Sequence, residues 1–256
     1  MKKNERKEHI LELLQENGRI SVEALSRQLA VSTVTIRTDL KELEAAGTLY
    51  RTHGGAVCDS TVRLPEAPED PVGKWKMQIA QCAARQVRSG SWIYLGSGST
   101  CMALAQQLAS HPVNIMTNSL DSAQALAHSA SVQLLMPGGS VFNSSHPFLY
   151  GDLLYAALSS IVFEQAYVGV SGIDPNFGFS VSNTVECSVI KRLRQIAKEL
   201  IVVADAGKFG RVSFMGAGPL STANRIITAG PLTSEHEEWC RNAGVRLLRA
   251  DMPSAG

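Results

Sequence analysis

Between residues 58 and 71 the chain carries Pro65, Pro68 and Pro71 together with Asp59, Glu66, Glu69 and Asp70. Proline removes an amide donor and clashes with a continuing helix, and the four carboxylates resist burial. Neither a helix nor a central strand can run through such a stretch. It predicts a stiff, exposed connector over residues 58–72, joining an N-terminal part, 1–57, to a larger part, 73–256. With 45% hydrophobic residues the chain can fill a real core, which excludes wholesale disorder. Its longest apolar runs, such as 200–204, fall far short of a membrane span. Charged Glu5, Arg6, Lys7 and Glu8 stand where a leader peptide needs apolar residues. The five cysteines are scattered, with no C-x-x-C and no zinc spacing, as expected of buried thiols in a reducing compartment. These features together predict a soluble, cytoplasmic protein without a structural metal.

The N-terminal part reads as helical. Asn4 is placed to cap a first helix with Ile10, Leu11, Leu13 and Leu14 as its apolar stripe, ended by Gly18. Ser21 caps a second helix carrying Val22, Leu25 and Leu29, and Ser32 caps a third that runs to Ala46 before Gly47. Residues 49–57, with Gly54-Gly55 at the turn, predict a hairpin. Three short helices and a hairpin outline a winged helix-turn-helix. At about 100° per residue, Thr33, Ile36, Leu40 and Leu43 share the core side of the third helix. Val34, Arg37, Thr38 and Lys41 share the opposite side, with Thr35 on its flank and no carboxylate among them. Arginine can grip a guanine edge, hydroxyls can reach bases or phosphates, and valine can pack on a thymine methyl. Net charge decides nothing, because residues 1–57 hold nine Lys/Arg against eight Asp/Glu. An ordinary solvated helix bundle fits the same pattern.

From residue 74 onward, apolar runs at 92–95, 113–116, 132–136, 166–170, 200–204, 225–228 and 245–248 alternate with helical stretches at 76–87, 102–109, 122–127 and 186–198. This alternation predicts an α/β fold with a largely parallel sheet. Polar loops follow the runs: Gly96-Ser97-Gly98-Ser99-Thr100, Thr117-Asn118-Ser119, Gly138-Gly139, Ser171-Gly172 and Asp205-Ala206-Gly207-Lys208. Ligands of open α/β sheets bind beyond the carboxyl ends of strands, so these loops should converge on one crevice suited to a phosphorylated polyol. The Gly98-Ser99-Thr100 turn is the phosphate candidate, since glycine lets the backbone approach an anion and a helix start offers free amides. A ligand-free turn fits it equally, and Lys208 fits an ion pair with Asp205 as well as a ligand contact. Cys101 beside the turn reads as packing. His111, His128, His146 and His236 have no partner at catalytic spacing and read as non-catalytic.

Two groups of motifs carry a resemblance. Arg6-x-x-x-Ile10, the run from Ser32 to Leu40, and Arg51-Thr52-His53-Gly54-Gly55-Ala56 resemble the N-terminal signature of the DeoR family of transcriptional regulators. Lys76-x-x-Ile79-Ala80, Gly98-Ser99-Thr100, Thr117-Asn118-Ser119, Gly138-Gly139, Gly151, Gly169-x-x-Gly172-Ile173 and Asp205-x-x-Lys208-Phe209-Gly210 resemble that family's sensor domain. The sensor is similar in fold to ribose-5-phosphate isomerase and glucosamine-6-phosphate deaminase. The resemblance implies operator DNA held by Ser32, Thr33, Val34, Thr35, Arg37, Thr38 and Lys41, with Arg51 and His53 on the wing. It implies a phosphorylated sugar held by Lys76, Ser97, Gly98, Ser99, Thr100, Thr117, Asn118, Gly138, Gly139, Gly172, Asp205 and Lys208. Gly96, Ala206-Gly207 and Ala229 depart from the family pattern, Gly96 and Ala229 each in place of an Asp.

The expectation is therefore a repressor of a carbohydrate operon that is released by a sugar phosphate, needs no cofactor and works as a homodimer or homotetramer. The competing expectation is a sugar-phosphate isomerase or deaminase tethered to a small helical domain. It needs a base beside a carbonyl, for which Asp121, Glu186 and Asp205 are available.

Overall fold

The computed structural model describes residues 3–17, 19–45, 49–52, 54–58 and 71–251. The chain divides into two compact units, Met1–Glu69 and Asp70–Gly256. The expected helix stops at Gly18 and Gly47, the wing residue His53 and residues 59–70 of the connector lie outside the described residues.

In the first unit α1 (Lys3–Asn17), α2 (Val22–Leu29) and α3 (Thr33–Ala45) pack around Ile10, Leu14, Leu25, Ile36 and Leu40, all essentially closed to solvent. Asn4 falls inside α1, which begins a residue earlier than its expected cap. Ser21 does cap α2, its hydroxyl accepting from the Ala24 amide at 3.1 Å. The hairpin is present as β2 (Leu49–Thr52) and β3 (Gly55–Cys58), but a further short strand, β1 (Arg19–Ser21), extends it on the β3 side. A Cβ on Gly55 would lie 2.1 Å from the Ile20 carbonyl oxygen, so only glycine lets β1 and β3 approach this closely.

Arg6 ties α1 to α3. Its Nε and Nη2 reach the two carboxylate oxygens of Asp39 at 2.5 and 3.1 Å, and Asp39 is buried. A forked pair of this kind fixes both position and angle. Taking away Asp39 strands the guanidinium against the core edge. Asp39→Ala is expected to lower the unfolding midpoint of the N-terminal unit by several degrees, followed by circular dichroism, with the C-terminal transition unmoved.

The second unit begins with α4 (Pro71–Ala84) and contains β4 (Trp92–Leu95), α5 (Ser99–Leu108), β5 (Val113–Thr117), α6 (Leu120–Leu126) and β6 (Val132–Leu135). A hairpin of β7 (Ser140–Phe142) and β8 (Phe148–Tyr150) follows, then α7 (Asp152–Ser159) and β9 (Phe163–Val168). Next come β10 (Gly172–Asp174), β11 (Gly178–Val181), α8 (Thr184–Ile196), β12 (Ala197–Val203) and β13 (Met215–Gly218). The unit closes with β14 (Arg225–Thr228), α9 (Ser234–Asn242) and β15 (Arg246–Arg249). Seven strands form one parallel sheet in the order β15-β14-β12-β9-β4-β5-β6. Each expected apolar run became one of these strands, with ends shifted by at most a few residues.

Alternation along the strands divides the core by face. Tyr94, Ala166, Val168, Leu200 and Val202 point to one cluster, which takes in buried residues of α7, α8 and α9. Ile93, Leu95, Tyr167, Ile201 and Val203 point to the other, shared with α4 and α5. The chain winds one way from β4 through β5 to β6 and the other way through β9, β12, β14 and β15. The order thus reverses between β4 and β9, and a doubly wound sheet opens a crevice at the carboxyl ends of such a pair.

Candidate functional site

Two surfaces are candidates, one in each unit. On the first, α3 presents Val34, 68% exposed, beside exposed Arg37, Thr38 and Lys41, while Ile36, Leu40 and Leu43 are buried. Thr33 is half-buried on the core side. Ser32 caps the helix, its hydroxyl accepting from the Thr35 amide at 3.1 Å and bonding the Thr35 hydroxyl at 2.9 Å. Thr38 spends its hydroxyl proton on the Val34 carbonyl at 3.0 Å and keeps only acceptor capacity outward. Arg37 borders a shallow depression with Glu23 of α2 and Thr52 and Gly54 of the hairpin, where helix meets wing. Arg51 lies on β2, and its side chain, like His53, lies outside the described residues.

Two of the three carboxylates of α3 are paired with residues of α1. Asp39 is bound by Arg6, and Glu42 takes Lys3 and Lys7 at 2.6 Å each. Hydrogen bonds from Lys3 and then Lys7 pull the Glu42 carboxyl down to about 2. A depressed carboxylate keeps its pairs above the ordinary range near 4.5 and loses them as pH falls toward 2. Segregation, not net charge, leaves the Arg37–Lys41 face cationic at neutral pH.

The second surface is a cavity of about 340 Å³ at the carboxyl ends of β4, β9 and β12. Seven of the residues expected to hold a ligand line it: Lys76, Ser97, Gly98, Ser99, Thr100, Asp205 and Lys208. Gly98 is the residue before α5 and has φ +102°, a conformation that L side chains rarely adopt. The helix expected over 102–109 begins earlier, at Ser99, so the first-turn amides belong to the loop itself. Asp205 is buried and accepts from the Gly207 amide at 3.0 Å, and it forms no ion pair with Lys208 among the described residues. Lys208 and Lys76 thus bring two ammonium groups to a cavity otherwise rich in hydroxyls.

Five expected ligand residues do not line that cavity. Thr117 is buried and accepts from the Ser119 amide. Asn118 accepts from the Tyr94 hydroxyl at 2.7 Å and donates to the Leu149 carbonyl at 3.0 Å, tying β5 to β8. It borders a separate void of about 20 Å³ with Gly96 and Glu186, room for about one water. Gly138 and Gly139 shape the entry to β7, where a Cβ on Gly139 would meet the Tyr150 carbonyl oxygen at 2.4 Å. Gly172 starts β10, and a Cβ there would sit 2.3 Å from the Arg211 carbonyl oxygen. For Gly139 and Gly172 backbone approach explains the residue type, while a Cβ on Gly138 would meet only the Leu153 side chain, at 2.8 Å.

Other lining residues were not expected as ligand contacts. Glu186, in the first turn of α8, receives Asn183 Nδ2 at 2.8 Å and the Ser97 and Ser182 hydroxyls at 3.3 Å each. Asn183 caps α8 through the Glu186 amide, and that Asn-x-x-Glu spacing was a visible signal for a helix start. His146 also lines the cavity, and its Nδ1 lies 2.7 Å from an Asp121 oxygen. The expectation that no histidine has a carboxylate partner is therefore corrected. The two are 25 residues apart, beyond the reach of any spacing rule. Cys101 is fully buried, and burial pushes its thiol up to about 12, so it is an inert packing group. Among the described residues no cluster of His, Cys, Asp or Glu could hold a metal ion, and no helix is long and apolar enough to cross a membrane.

Comparison with known proteins matches both units. Residues 6–62 match the DeoR-like helix-turn-helix domain, and residues 73–229 match the DeoR C-terminal sensor domain. A protein of Escherichia coli O157:H7 named as an aga operon transcriptional repressor is 35% identical over 96% of this chain and 93% of its own length. An L-fucose operon activator of Haemophilus influenzae is 29% identical over 96% of this chain and 99% of its own. Ribose 5-phosphate isomerase A from Methanocaldococcus jannaschii has 18% identity and a TM-score of 0.38 over 52% of this chain and 53% of its own, a likeness too distant to argue from.

Proposed function

The chain belongs to the DeoR family of transcriptional regulators, and on that premise we propose that it represses a carbohydrate-metabolism operon and is released by a phosphorylated sugar. The observation that carries this reading is the make-up of the cavity at the β4/β9 reversal. The first-turn amides of α5, Gly98 and the hydroxyls of Ser99 and Thr100 supply anion donors, with Lys208 and Lys76 adding charge. Asp205 and Glu186 supply acceptors for sugar hydroxyls. Operator DNA is held by the Val34–Arg37–Lys41 face of α3, the helix start at Ser32 and the wing. Reading paired half-sites calls for a homodimer or homotetramer in the cytoplasm. No cofactor is needed for binding and release.

One observation favours the enzyme alternative: His146 lines the cavity and is backed by the Asp121 carboxylate behind it. Against it stand the regulator names of the relatives. Titrating the purified protein onto its own upstream promoter fragment at several salt concentrations tests the two. Sequence-selective binding that weakens steeply with salt supports the regulator. Turnover of ribose- or glucosamine-type phosphates without such binding would overturn it.

The expected connector, 58–72, is narrowed at both ends, because Cys58 ends β3 and Pro71 and Val72 open α4. A proline at the first helical position gives up only an amide that has no partner there. We place the connector at residues 59–70, on its prolines and acids. Limited digestion is expected to cut there first, at Arg63 with trypsin and at Glu66 or Glu69 with a glutamate-specific protease. The 73–256 fragment should stay folded and bind sugar phosphate but not DNA. Recovery of only insoluble fragment contradicts this boundary.

A further inference from the structure

The loop joining β7 to β8 brings His146 to the cavity, and the way it is held separates two roles for that side chain. The chain on its C-terminal side is already fastened to the β5–α6 turn. The Leu120 amide donates to the Pro147 carbonyl at 3.0 Å, and the Leu149 amide to the Asn118 carbonyl at 2.8 Å. Within the loop, the Ser144 hydroxyl donates to the His146 carbonyl at 2.7 Å and accepts from the His146 amide at 3.2 Å. These bonds fix the backbone, so the Asp121 contact to Nδ1 adds mainly an orientation of the ring. An ionised carboxylate only accepts, so Nδ1 carries a proton, and in the neutral imidazole Nε2 is left as a lone-pair acceptor. A ring set in advance by one nitrogen, in a cavity rich in polar groups, has its other nitrogen available to a ligand.

We propose that His146 is an effector-contacting residue whose Nε2 accepts a hydroxyl of the bound sugar phosphate, with Asp121 as its positioning residue. This rests on the effector reading of the cavity given above. With Glu186 and Asp205, His146 completes a set of acceptors for a ligand rich in hydroxyl donors, while the α5 turn and Lys208 serve its anionic end. The β7–β8 loop thereby becomes part of the selection among sugar phosphates of similar charge.

Two substitutions separate contact from scaffold. In His146→Asn the amide nitrogen overlays Nδ1 and keeps the Asp121 bond, but nothing replaces Nε2. In His146→Gln the amide oxygen overlays Nε2, and the Asp121 bond is lost. Both full-length variants are titrated for operator release with a panel of aldose and ketose phosphates, the most potent for wild type being carried forward. Ligand-induced thermal shift is read alongside, with inorganic phosphate as a second probe. The Asn variant should need about tenfold more sugar phosphate, and the Gln variant no more than about threefold. Asp121→Ala should weaken the response in wild type and add nothing in the His146→Gln background. The thermal shift by inorganic phosphate should be the same in all variants. The opposite order, with Asn like wild type and Gln impaired, makes the pair a scaffold and overturns the proposal. An equal loss of inorganic phosphate binding overturns the hydroxyl assignment. A wild type that no sugar phosphate releases overturns the effector reading itself, and this proposal with it.

Discussion

Alanine at Lys208 is expected to leave operator affinity unchanged and to raise the sugar phosphate needed for half release by about 10- to 100-fold. A hydrogen bond to a charged group contributes about 1.5–3 kcal/mol, and each 1.4 kcal/mol is about a factor of ten. Lys208 lines the cavity without an ion-pair partner among the described residues, so its charge is unspent until an anion arrives. Gly98→Val should do the same by another route. No atom beyond its chain neighbours lies within 4 Å of the added Cβ, so the cost is not a clash with the surroundings but the φ of +102° that a valine backbone cannot hold without strain. The turn must move, and with it the first amides of α5. Operator titrations with and without ligand check both variants. A normal response in either places the anion elsewhere.

Alanine at Arg37 is expected to cost about 1–3 kcal/mol of specific operator binding and to relax selectivity at one base position. Arg37 is exposed on the outer face of α3, while the carboxylates Asp39 and Glu42 are tied down by Arg6, Lys3 and Lys7. Lys41→Ala, meeting only phosphate, should weaken all sequences alike and flatten the salt dependence. Footprint titration of both variants separates the two behaviours. An Arg37→Ala protein as tight and selective as wild type would show that another residue reads the base.

The parts of this protein that were legible in the sequence are those fixed by local pattern. β4 and β14 fall where their apolar runs end, and the two faces of α3 follow from helical spacing. The glycine loop past β4 lies in the cavity because strand–helix alternation sets where such a loop must go. What was not legible depends on partners distant in the chain. Ser97 meets Glu186 across 89 residues, and Asp121 meets His146 across 25. Asn118 looks like a ligand residue, yet its amide is spent on Tyr94 and Leu149, neither of which its own loop reveals. The small sheet of β10, β11 and β13 consists of strands of three or four residues bounded by glycines, too short for alternation to register. Helix α9 escapes an apolar-periodicity reading for a different reason, since its nine residues are mostly polar.

Tight effector binding alone does not release DNA. The ligand must favour the state that does not bind operator, and a tenfold loss of operator affinity needs about 1.4 kcal/mol of that preference. Charge-assisted contacts to a phosphate can supply it, and contacts to an uncharged sugar lack that component. The most direct measurement is therefore an operator titration against matched pairs of sugars, each with and without its phosphate. A phosphorylated member should weaken operator binding at least tenfold while its free partner does not; free sugars acting as strongly as their phosphates would show that the phosphate plays no part in release.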